Sequence, residues 1–166
     1  MNAYQIYQSA DPALISDLLT WLRAEERDLY KNTVGSLAQD RKLRPVFVQK
    51  KSLPDQFTWI HKTLKLKSTD MMGEHLLQLW FMKGQEEILV TFCDAMGIEH
   101  DGKGSVEAEL PEELDGDKSK EAIDALLAKF DAKLVTAYLH VFNLQKDGGW
   151  DCITSALESD DRLKLA

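Results

Sequence analysis

Apolar residues recur along most of this chain at intervals of three and four, the spacing that collects them on one face of an α-helix. Leu14, Ile15, Leu18, Leu19 and Leu22 form one such stripe, preceded by Asp11-Pro12, an N-cap residue with proline at the first helical position. A helix is therefore expected to start near residue 12. The period weakens after Glu25 and resumes at Leu29, Tyr30, Val34 and Leu37, which predicts either a second helix or an extension interrupted around Gly35. Between Arg41 and Lys67, Pro45 and Pro54 cut the chain into short pieces, and Phe57, Ile60, His61 and Leu64 share a face after Pro54.

Ser68-Thr69-Asp70 is a run of N-cap residue types, and Met72, Leu76, Leu79, Trp80 and Phe81 make the following helix apolar around much of its girth. Gly84 permits a tight turn into a helix with Ile88, Leu89, Phe92, Cys93 and Met96 on one side, and Gly97 stands where a left-handed C-cap is expected. Acidic residues, glycines and Pro111 then predict a long loop over residues 98–118. Helical spacing returns in three segments: Ala122, Ile123, Leu126, Leu127 and Phe130; Leu134, Val135, Tyr138, Leu139 and Phe142; and Trp150, Ile153 and Leu157. Turns are expected at Asp131 and at Gly148-Gly149.

The chain holds 24 leucines against 14 valines and isoleucines, and unbranched side chains favour helix over strand. The expected fold is all-α, a single domain over 1–166 with about seven or eight helices in a bundle or irregular stack of antiparallel hairpins. Its parts are an N-terminal helical region 1–67, a central hairpin 68–97, the acidic loop 98–118 and the C-terminal helices 119–166. Residues 76–96 and 135–157 both run apolar helix, glycine turn, shorter helix, a repeat-like resemblance that does not superpose residue by residue.

At 44% hydrophobic and 29% charged residues, the composition is that of a soluble globular protein, and no stretch approaches the 18 apolar residues of a membrane span. Residues 1–12 have neither the positive charge nor the apolar core of a secretory leader. Cys93 and Cys152, far apart and outside metal-type spacings, suit two free thiols in a reducing, bacterial-type cytoplasm.

Charge is the most uneven feature. The net charge is -8, yet residues 41–67 hold eight cations and one acid, whereas 94–131 hold twelve acids and four cations. Such runs are ordinarily solvated faces. The sharper expectation is a docking surface on Arg41, Lys42, Arg44, Lys50 and Lys51 for an acidic protein, or for the acidic loop of a second copy. The same cations, interleaved with Phe47, Phe57 and Trp59, fit single-stranded nucleic acid, against which the overall acidity argues.

Catalytic motifs are nearly absent. Gly97 to Lys103 fits the phosphate-binding G-x-x-x-x-G-K spacing, but it follows a helix, leads toward Pro111 and has Gly104 where a hydroxyl should hold magnesium. Glu99, His100 and Asp101, with Glu107 and Glu109 behind them, define a metal-assisted enzyme as the alternative, joined by Glu74 and His75 if the loop folds back. Cys93 lies on an apolar stripe, Cys152 follows an acid, and His61 and His140 sit at stripe edges as structural histidines. No cofactor is expected. The functional expectation is a non-enzymatic interaction module. Its candidate contacts are the five cations above and, in the loop, Glu99, His100, Asp101 and Lys103.

Overall fold

Caps and prolines place the helix ends. A computed structural model describes all 166 residues and contains ten α-helices and no β-strand. By internal contacts the backbone divides into two compact units, residues 2–77 and residues 78–166 with Met1.

The first unit holds α1 (Ala3–Ser9), α2 (Pro12–Glu25), α3 (Arg27–Asp40), α4 (Pro45–Gln49), α5 (Leu53–Leu64), a 3-10 turn (Lys67–Thr69) and most of α6 (Asp70–Leu79). Asp11 accepts the Ala13 N–H at 2.8 Å, so α2 begins as its cap and proline predict. The break after α2 falls at Glu26, and α3 runs straight through Gly35, around which a side chain would meet nothing. Pro45 and Pro54 each occupy the first turn of a helix, where the missing N–H costs nothing. Ile15, Leu18, Leu22, Leu37, Ile60 and Leu64 close the core of this unit.

α1 is the helix the hydrophobic pattern does not announce. It is seven residues long and too short to show a period, and its partners lie far along the chain. Tyr7 is fully buried, its hydroxyl donating to the Gly73 carbonyl at 3.0 Å. Gly73 is required there, since a Cβ would stand 2.7 Å from the Tyr7 ring. His61 donates through Nε2 to the Tyr7 carbonyl at 2.8 Å, a structural histidine as expected, with burial depressing its pKa. Asp70 opens α6 and also accepts the Tyr4 N–H at 2.9 Å, serving the first turn of α1.

In the second unit the residues after α6, Trp80–Gly84, form a π-helical turn leading into α7 (Glu86–Met96). Gly97 ends α7 at φ +68°, the left-handed cap that the sequence requires. The loop that follows closes earlier than expected, because the Asp115 carboxylate takes the Asp117 and Lys118 N–H groups and starts α8 (Gly116–Lys129). Asp131 caps α9 (Ala132–Asn143) in the same way, and α10 (Asp151–Ser159) follows the Gly148-Gly149 turn. α7 packs on α8, and α9 on α10.

The core of this unit is aromatic: Phe92 meets Phe142 edge-on at 4.8 Å between ring centroids, and Phe142 stacks on Trp150 at 4.7 Å. Trp150 is held by its backbone, whose N–H donates to Asn143 Oδ1 at 2.7 Å while Asn143 Nδ2 donates to Thr154 at 2.9 Å. The helix count exceeds the expected seven or eight because α1 is silent in the pattern and the proline-cut region resolves into two helices. No helix is long and apolar enough to cross a membrane.

Candidate binding sites: a basic apolar face and a strapped cleft

After α3 the chain turns at Lys42, the one non-glycine residue in the left-handed region (φ +55°), and enters α4 at Pro45. Val48 is the one buried side chain of that helix, so its other positions face solvent. Seven large apolar side chains are exposed in the whole chain, and four of them, Leu43, Val46, Phe47 and Leu53, fall in this short segment. Around them lie exposed Arg41, Lys42, Arg44 and Lys50 and the half-buried Lys51. None of the five cations forms an ion pair. Lys51 instead lies 4.8 Å from the centre of the Phe47 ring. Phe57, one of the aromatics that would stack bases, packs edge-on against Tyr30 at 6.3 Å.

The acidic loop is built differently. His100 Nε2 lies 2.8 Å from Asp94 Oδ1, and its Nδ1 accepts the Gly102 and Gly104 N–H groups at 3.1 and 3.2 Å. Two incoming donors at Nδ1 place the imidazole proton on Nε2, which donates to Asp94. Asp101 Oδ1 accepts the Lys103 and Ser105 N–H groups at 2.8 and 3.1 Å, bonds that hold its carboxyl below the usual range. Gly104, at φ +87°, presses so closely on α7 that a Cβ would overlap Leu89 and lie 2.9 Å from its carbonyl carbon.

Four successive backbone N–H groups, 102 to 105, are thus spent on two side chains of the loop itself. A phosphate cradle needs those donors free, so the G-x-x-x-x-G-K spacing here serves a closed turn. His100 has protein partners at both nitrogens, and no group of three or more His, Cys, Asp or Glu side chains is placed to hold a metal ion. Of the four loop residues taken as contacts, His100 and Asp101 tie the loop together, while Glu99 and Lys103 are exposed.

The second half of the loop crosses a cleft of about 830 Å³ within this unit. Its walls include Phe81, Leu89, Cys93, Tyr138, Phe142 and Trp150. The strap is tied at its far end, where Trp150 Nε1 donates to the Pro111 carbonyl at 2.9 Å and Lys146 Nζ to the Glu112 carbonyl at 2.6 Å. Both cysteines are free, and burial pushes the Cys93 thiol up to about 11, so it is no nucleophile at neutral pH. His140, on the same helix as Tyr138, is held neutral by burial, its pKa lowered to about 4. Sequence reasoning misses the cleft because its walls occupy the same helical stripes as the packed core.

Compared with protein-family models, curated proteins and solved structures, the chain matches none.

Proposed function

We propose that this protein is a non-enzymatic interaction module of the cytoplasm, whose segment 41–53 receives an acidic, amphipathic segment of another protein. The observation that carries this reading is the coincidence of two exposures: four of the seven exposed large apolar side chains stand among cations that have no ion-pair partner within the chain. Exposed apolar area costs free energy in water and is relieved by covering it. Unpaired cations around it favour a covering surface of opposite sign, steer its approach and fix its register. An anionic polymer without apolar side chains would satisfy only the charge. The two free thiols suit a reducing compartment.

A fluorescein-labelled helical peptide with glutamates on one face and leucines on the other tests the reading by anisotropy. It is expected to bind the folded protein, to weaken as salt is raised, and to lose about tenfold or more in affinity to Arg44→Glu/Lys50→Glu/Lys51→Glu. Equal binding to the triple variant in low salt would sink the assignment. So would stronger binding of single-stranded DNA or of phosphatidylserine vesicles, or a dimer in native mass spectrometry that the triple variant abolishes.

A further inference from the structure

The strapped cleft of residues 78–166 is independent of the basic face and has its own unfinished chemistry. A solvent-open cleft of about 830 Å³ walled by aromatic rings lies in the range of small-molecule sites. The strap that roofs it is pinned at both ends, at Gly104 against α7 and at Pro111 and Glu112 against Trp150 and Lys146. Between the pins, residues 106–110 make no backbone hydrogen bond, so the roof can lift while its ends stay fixed.

One wall group lacks a partner. Tyr138 is only 4% exposed, packs its ring against Phe81 and Phe92 at 5.4 Å each, and makes no hydrogen bond through its hydroxyl to any protein atom. Every other tyrosine buried to this degree has one: Tyr7 donates to Gly73 and Tyr30 to Gln56. No fully buried side-chain nitrogen or oxygen lacks a partner, so this hydroxyl is open to the cleft that Tyr138 lines, where an acceptor that enters can take its hydrogen bond. The lining also carries Glu109, Glu112 and Asp147 against Lys146, a balance that repels anions.

We infer that this cleft binds a small, uncharged, planar apolar molecule bearing a carbonyl-type acceptor, whose acceptor takes the hydrogen bond of the Tyr138 hydroxyl. The aromatic walls cover its body, and the strap lies beside it. The inference is to binding, and the Cys93 thiol in the wall, pushed up to about 11 by burial, adds no nucleophile at neutral pH.

The probe is 6-propionyl-2-dimethylaminonaphthalene, a neutral naphthyl ketone whose emission moves to the blue in apolar surroundings and to the red when its carbonyl accepts a hydrogen bond. Expected are saturable binding at one per chain with a blue shift, and weaker binding of an anionic anilinonaphthalene sulfonate. Tyr138→Phe, which keeps the ring, should weaken the ketone about fivefold and shift the bound emission further to the blue. Ala108→Trp, placed on the exposed strap, should fill the mouth and abolish binding, with unchanged circular dichroism excluding unfolding. Absence of saturable binding overturns the proposal, as does binding that survives Ala108→Trp. If Ala108→Trp blocks the ketone but Tyr138→Phe changes neither affinity nor colour, the assignment of the acceptor to Tyr138 is overturned.

Discussion

Residues 41–53 and residues 97–115 are both charged connections between longer helices, of opposite sign, and they spend their polar side chains in opposite ways. In 97–115, the side chains of His100 and Asp101 fold back on their own loop and consume the N–H groups of residues 102 to 105, and Gly104 fits the loop against α7. In 41–53 the side chains of Arg41, Lys42, Arg44 and Lys50 turn to solvent and ion-pair with nothing in the chain, beside exposed Leu43, Val46 and Phe47. Charge density alone does not separate a structural loop from a contact surface. What separates them is whether the charges and donors are already used, and that is a property of geometry.

The contrast breaks most visibly at Gly104. Replacement by alanine drives a Cβ into Leu89 and close to the Val90 nitrogen while keeping a left-handed backbone, so the loop must leave α7. Steric overlap and positive φ together are expected to cost about 3 kcal/mol, read as a lower midpoint in urea unfolding. An unchanged midpoint would mean that the loop is not a built part of the unit.

His100→Ala is the next step down. It removes the donor to Asp94 and the acceptor for two N–H groups, of which the Gly104 N–H lies in a buried residue. Leaving that one donor unsatisfied should cost about 1–3 kcal/mol. Amide exchange locates it: the protons of Gly102 and Gly104 should exchange faster while those of α9 keep their protection. Uniform loosening across α9 would show that His100 does more than hold its loop.

The sequence announces those elements whose causes are local. The Asp11-Pro12 start, the Gly97 cap, the Asp131 turn and the Gly148-Gly149 turn each follow from the conformational limits of one or two residues, and each stands where expected. Gly35 misleads, because helix propensity is outweighed by the buried stripe of Tyr30, Val34 and Leu37. α1 is silent, because what fixes Tyr7 is Gly73 and His61, more than fifty positions away. The cations of 41–53 are legible as a cluster, but their freedom from partners is not. The cleft is illegible altogether, because Phe81, Tyr138 and Phe142 have the same spacing whether they face a void or another side chain.

The smallest effect is expected where the charge is greatest. Arg44→Gln/Lys50→Gln/Lys51→Gln removes three cations, of which only Lys51 has a neighbour of its own, the Phe47 ring at 4.8 Å. An exposed cation over an aromatic face contributes about 0.5–1 kcal/mol, and relief of repulsion among the cations acts in the opposite direction. The triple variant should therefore unfold within about 0.5 kcal/mol of the parent in urea at low salt. A loss as large as that of His100→Ala would place these cations among the groups that hold the fold, and with it remove the asymmetry on which their role as a contact surface rests. A null result in stability joined to a large loss of peptide binding is the pairing that only an outward-facing surface produces.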